Sequence, residues 1–197
     1  MASPRRMGSP EAKNRAALLD AAEQIMLEEG YPAASSRRVA EKAGLKHQLV
    51  HYYFHGMDEL FTAAFRRSAE RGLRVQAEAL KSAQPLWALW RWHTNSLNAP
   101  LWTEYIAMAN HRKGLRAEIS YYSKRFREEQ RWIVDRALRS YGVDPDELPA
   151  VAAIVLLTSI SRVLVMEEEL GVPDGHAETV AIVERYLTKL EGEPTVG

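Results

Sequence analysis

The chain has 197 residues, enough to bury a proper core, and its 46% hydrophobic and 26% charged residues describe an ordinary soluble globular protein. Lys plus Arg and Asp plus Glu both number 26, so the formal net charge is zero and gross electrostatics does not by itself announce a nucleic-acid partner. The absence of cysteine removes disulfides, thiolate metal sites and cysteine nucleophiles.

Residues 1–10 hold Arg5 and Arg6 among Ser, Pro and Gly, without the apolar stretch of a secretory signal. The longest apolar run, Ala150–Leu157, is far short of the roughly 18–20 residues needed to span a bilayer. A cytoplasmic protein with a short mobile basic tail and no membrane partner is the expectation. A first helix is predicted over Glu11–Glu29, where Leu18, Ala22, Ile25 and Met26 recur at helical spacing. Gly30 marks its stop, and Pro32 prevents continuation.

The next stretch, Ser35–Phe54, divides into two short helical runs around a glycine. Val39, Ala40 and Ala43 fall at helical spacing behind the two serines, whose hydroxyls can accept from orphan backbone N–H groups. Gly44 closes the run, and Lys46–Phe54 resumes with Val50 and Phe54 on one inner face. Two short helices joined by a glycine-containing turn form the helix-turn-helix pattern, with Leu18, Ile25, Val39, Val50 and Phe54 as its predicted core.

The arrangement SSRRVAEKAG-x-x-x-x-LVHYYF resembles the DNA-binding signature of the tetracycline-repressor (TetR) family, over about a fifth of the chain, Leu18–Leu60. The resemblance implies an all-α fold with an N-terminal three-helix DNA-binding domain (11–57) and a larger helical effector-binding and dimerisation domain (58–197). For direct readout, Gln48 can pair bidentately with adenine, His47 can donate to a guanine or phosphate, and Leu49 offers apolar contact to a thymine methyl. Arg37 matches a family position that can read a guanine, and His51 stands where the family usually has tyrosine. Ser35, Ser36, Lys46, Tyr52 and Tyr53 are placed to bond phosphates. Arg5 and Arg6 could reach a phosphate or the minor groove. Two departures stand out. Lys46 replaces the usual N-capping Ser or Thr, and His55–Gly56–Met57 replaces a common Pro–Ser–Lys, losing one phosphate-contacting lysine.

The same residues admit a rival reading. His47 and His51 stand four apart, as in a zinc-protease helix, but Gln48 replaces the glutamate that must act as general base. No catalytic residue, metal or cofactor is therefore assigned, and the expectation is a protein that is not an enzyme. A regulatory metal on His47, His51 and His55 is the remaining form of that reading, and a helical ligand-binding protein with an inactive DNA module is the other alternative.

Further along, a fourth helix is predicted over Asp58–Leu80, with Gly56 as N-cap and two acids in its first turn. Ser82–Pro85 marks a boundary, followed by two aromatic-dense helices, Leu86–Leu97 and Pro100–His111. Four of the five tryptophans lie here, within sixteen positions. Trp87, Trp90, His93, Trp102, Tyr105 and Met108 read equally as core or as the wall of an apolar pocket. The family resemblance implies a pocket for a small apolar effector. Gly114–Tyr141 reads as a long helix with an arginine-rich outer face. Asp144, Pro145 and Glu147 make a capping box that predicts a helix over Pro145–Glu169, and His176–Glu191 reads as a last amphipathic helix. The helix over 145–169 is apolar on nearly every side, so it must be buried all round. A place at the centre of one subunit would meet this need; the resemblance implies instead a homodimer, with a four-helix bundle formed together with 176–191, on a near-palindromic double-stranded operator.

Overall fold

Glycine and proline punctuate the chain largely where the sequence places them. The structure, a computed structural model, describes residues 10–94 and 99–195, so the predicted tail up to residue 9 and the end of the predicted helix Leu86–Leu97 lie outside the described residues. Among the described residues the regular structure is helical, without a strand. In chain order it comprises α1 (Pro10–Glu29), a 3-10 turn (Tyr31–Ala33), α2 (Ser36–Lys42), α3 (Gln48–Tyr53), α4 (Met57–Ala79) and α5 (Pro85–Thr94). Then follow α6 (Ala99–Ala109), α7 (Lys113–Ser140), α8 (Ala150–Glu169) and α9 (His176–Glu191). The chain forms two compact units, one of Met1–Glu70 with Leu101–Ser120, the other of Arg71–Pro100 with Tyr121–Gly197.

In the first unit the predicted core is buried without exception: Leu18, Ile25, Val39, Val50 and Phe54 are at most 1% exposed. Leu60, Phe61, Ala64 and Phe65 of α4 extend it, as do Tyr105 and Met108 of α6. Each of the leucine, isoleucine, valine, phenylalanine and methionine side chains among them contributes roughly 1.5–3 kcal/mol relative to exposure. Arg67 reaches from α4 to Asp20 (2.7 Å) and Glu23 (2.9 Å) of α1, and Arg66 pairs with Glu118 of α7 at 2.6 Å. Such partly exposed pairs are worth about 0–1 kcal/mol each, so they set register more than stability.

The second unit packs Leu86, Trp87, Leu89 and Trp90 of α5 against Ala153 and Ile154 of α8, Val183 and Leu187 of α9, and Val134 and Leu138 of α7. Gly72 lets α4 approach α7 closely: a Cβ there would stand 3.1 Å from the Phe126 ring. One turn on, buried Gln76 accepts from the Gln130 amide and donates to the Phe126 carbonyl (3.3 Å). Glu191, at the end of α9, caps α5. Its carboxylate oxygens accept from the Leu86 and Trp87 N–H groups at 3.0 and 2.9 Å, where the helix dipole also favours an acid. The Tyr141 hydroxyl donates to the same carboxylate at 2.9 Å. Burial, reinforced by that bond, pushes the phenol up to about 12.

Two predicted boundaries are corrected. The capping box at Asp144 does not open α8. The Asp144 side chain accepts from Asp146 N–H (2.9 Å) and its carbonyl accepts from Glu147 and Leu148, but this makes a single turn. Pro149, with ψ 136° and no N–H, stops that turn, and α8 starts at Ala150. The second helix of the helix-turn-helix likewise starts at Gln48 rather than Lys46. Within one chain α8 buries Ala150, Ala153, Ile154 and Ser161, while Val151, Val155, Leu156, Val163 and Met166 remain exposed.

Candidate nucleic-acid interface

The helix-turn-helix is built from local signals that agree with one another. Ser35 sits extended (φ −88°, ψ 160°) as N-cap of α2, its hydroxyl accepting from Arg38 N–H at 3.3 Å. At the other end Gly44 takes φ +66°, which a side chain rarely adopts. The N–H of Gly44 bonds the Glu41 carbonyl and that of Leu45 the Ala40 carbonyl, the paired pattern of a Schellman stop. A tight turn from Lys46 and His47 then leads into α3, whose N-cap, His47, makes no side-chain cap.

With Val50 and Phe54 holding α3 to the core, its other faces are turned outward. Lys46, His47, Gln48, His51 and Tyr52 are exposed, whereas Leu49 and Tyr53 are half-buried. The Tyr52 and Tyr53 rings meet edge to face, 5.0 Å apart. On α2, Ser35 and Arg37 are exposed and Ser36 is half-buried. Neighbouring cations are engaged elsewhere. Arg38 pairs with Glu29 at 2.8 Å and Lys42 with Glu28 at 2.6 Å. The Lys42 ammonium and the Gln24 amide hold the Glu28 carboxyl below the usual range. Sequence reading could not see this division of labour. It leaves Arg37 and Lys46 as the cations of this stretch that have no internal partner among the described residues. Beyond α3, His55 donates its backbone N–H to Glu59 (2.9 Å) and sets Nδ1 2.6 Å from the same oxygen, which ties the approach to α4 onto its first turn. Both contacts hold the Glu59 carboxyl below its ordinary value. Among the described residues no group of three His, Cys, Asp or Glu could hold a metal ion.

The aromatic cluster divides three and three between the units. Trp87 and Trp90 are packed in the core of the second, and the Trp87 indole N–H donates to the Gly192 carbonyl at 3.0 Å. His93 lies beside them on α5, half-buried, its ring edge to face with Trp92. In the first unit Tyr105 and Met108 are buried and Trp102 is half-buried, with Phe65 between Tyr105 (5.2 Å) and Trp102 (6.2 Å). An open groove of about 940 Å³ in the second unit is lined by other residues, among them Thr94, Leu164, Val165, His176, Val180 and Glu184.

His93 is strongly perturbed by its setting on α5. Thr158 donates its hydroxyl to the Ile154 carbonyl (2.7 Å), so its oxygen accepts from His93 Nε2–H (3.2 Å). Burial, and secondarily the Arg162 charge, push the imidazole down to about 4. The folded chain thus resists a proton that the unfolded chain takes up near pH 6.5. Stability should be full above that pH and fall between pH 6.5 and 4, by about 3 kcal/mol in all. Urea titrations of wild type and His93→Gln across this range check it. The acid loss should flatten in the variant, and parallel slopes would refute it.

Residues 18–64 match the bacterial regulatory proteins of the tetR family. No curated protein matches the sequence. Among solved structures, a transcriptional regulator from Rhodococcus sp. Rha1 is similar with TM-score 0.69 at 21% identity, over 92% of this chain and 99% of that one. The Bacillus subtilis regulator FadR, in complex with stearoyl-CoA, gives 0.63 at 17% over 91% and 99%. A Saccharomonospora viridis protein named as a transcriptional regulator, in complex with choline, gives 0.74 at 18% over 90% and 94%. At these identities the likeness is one of fold.

Proposed function

By its helix-turn-helix segment the chain belongs to the TetR family of bacterial regulatory proteins, and on that premise we propose that it is a repressor that binds a near-palindromic operator as a homodimer and is released by a small apolar effector. The observation that carries the DNA reading is the outer surface of α2 and α3. Arg37, Lys46, His47, Gln48, His51 and Tyr52 are held outward on a fully buried core. Donors for base edges and cations for phosphates then converge on one short helix and the start of its neighbour. A dimer would set two such helices in successive major grooves, about 34–36 Å apart.

The exposed apolar side chains of α8, with Ile182 and Tyr186 of α9, support the dimer, since a patch of this kind marks an interaction site. By length and composition alone α8 could also cross a membrane. The charged Glu184, Arg185 and Lys189 beside Ile182 and Tyr186 on α9 favour a protein partner instead. The open groove of the second unit, with Leu164, Val165 and Val180 in its wall, supports an apolar effector, and solved structures of this fold hold stearoyl-CoA or choline. An effector releases DNA only by preferring a conformation in which the recognition helices are wrongly spaced.

The test is binding of the purified protein to DNA from upstream of its own coding sequence, across a salt series, with and without candidate ligands. Selective binding whose log affinity falls linearly with log salt, and which a ligand weakens, is the expected result. Absence of selectivity both there and in a random-sequence selection would refute the regulator reading.

A further inference from the structure

The helix-turn-helix runs from the 3-10 turn at Tyr31 to the start of α4 at Met57, and it is packed on α1 through the buried core and through the Arg38–Glu29 and Lys42–Glu28 pairs. At the first end stands Gly30, at φ +81°, with no side chain to brace it. At the second is the His55–Gly56 step before α4. Each end is gripped by a residue from outside the segment, and the two residues come from one short stretch of chain. Glu104 of α6 accepts the Tyr31 N–H at 2.6 Å, across 73 positions of sequence. Arg112, in the turn after α6, pairs with Asp58 at the start of α4 and lies over the Phe61 ring, 5.2 Å from its centroid.

Local chemistry explains why the first grip falls where it does. In the 3-10 turn Ala33 N–H bonds the Gly30 carbonyl and Ala34 N–H the Tyr31 carbonyl, while Pro32 has no N–H. That leaves Tyr31 N–H as the donor the turn cannot satisfy, and a carboxylate gives it a charge-assisted bond. The second grip is itself positioned. Arg116 donates to the carbonyls of Ala109 (3.1 Å) and Asn110 (3.0 Å), fixing the turn that carries Arg112.

We infer that Glu104 and Arg112 are positioning residues for DNA recognition: touching no DNA, they bracket the helix-turn-helix at both ends and fix how α2 and α3 are presented. The inference rests on the DNA-binding reading above. Neither residue belongs to the buried apolar core, so their loss should alter placement rather than abolish folding. Misplacement costs base contacts, which demand geometry, far more than phosphate attraction, which does not.

The experiment uses the full chain with a duplex selected by the wild type and an unrelated duplex of equal length. Glu104→Ala should weaken the selected duplex by about tenfold and leave the unrelated one within about twofold. Glu104→Gln should restore near wild-type affinity, because an amide oxygen still accepts from Tyr31 N–H. Hydrogen exchange at the Tyr31 amide should quicken in Glu104→Ala and not in Glu104→Gln. Arg112→Ala should reproduce the selective loss, and it carries the test if Glu104→Ala does not fold. Unchanged affinity for the selected duplex in both alanine variants would overturn the inference, as would equal losses on both duplexes. Should the wild type select no DNA, the functional reading falls on its own, and unchanged Tyr31 exchange in Glu104→Ala would separately overturn the grip.

Discussion

Gln48→Ala is expected to weaken operator binding by about tenfold to a hundredfold and to relax preference at one base pair, while Lys46→Ala weakens operator and unrelated DNA alike. Gln48 opens α3 and is exposed, and the N-terminal residues of a recognition helix are those that meet base edges. A bidentate amide–adenine pair discriminates by about 1–3 kcal/mol, which sets the size of the loss. Lys46 precedes the helix and is exposed as well, but an ammonium acts as a point charge on phosphate. Its removal should lower the salt slope by about one while leaving sequence preference intact. Arg37→Ala should behave as Gln48→Ala does, whereas Arg38→Ala should behave as neither, since Arg38 is committed to Glu29. Titrations of single-base operator variants distinguish these classes. A Gln48→Ala protein with wild-type affinity and preference would remove Gln48 from the reading surface.

What could be read in advance follows from how local each cause is. The three-helix core and the stop at Gly44 depend on spacing within a few residues, and Leu18, Ile25, Val39, Val50 and Phe54 are all buried. The start of α8 misled because two local signals compete there. The capping box at Asp144 is genuine, but Pro149 five residues later allows it only one turn. Partnerships across the chain left no local trace: Glu28 and Glu29 claiming Lys42 and Arg38, Glu104 reaching Tyr31, Glu191 capping α5. In the candidate interface, periodicity told which side of α3 faces inward. It could not tell which neighbouring cations were already paired. The tryptophans of α5 show a further limit, because a ring at helical spacing has the same sequence signature whether it fills a core or walls a pocket.

Leu156→Asp is expected to convert the protein to a folded monomer with operator affinity reduced by two orders of magnitude or more. Leu156 is 55% exposed on α8, so within a single chain an aspartate there meets water and should change stability by less than about 0.5 kcal/mol. In a two-fold dimer the same patch faces its own copy, and each subunit brings one unpaired carboxylate into an apolar contact. Val163→Asp on α8 and Tyr186→Asp on α9, the latter 60% exposed, should act in the same way. Ile154→Asp serves as the contrast: its side chain is 2% exposed, inside the second unit, and the variant should lose its fold rather than its partner. Operator affinity falls because a dimer delivers its second recognition helix at high effective concentration, a gain of about a hundredfold to ten-thousandfold that monomers forgo. Sedimentation with circular dichroism separates the outcomes. A halved mass with intact helicity supports the α8–α9 interface. Unaltered mass in Leu156→Asp, Val163→Asp and Tyr186→Asp would place the subunit contact elsewhere, and a wild type that sediments as a monomer would remove the dimer.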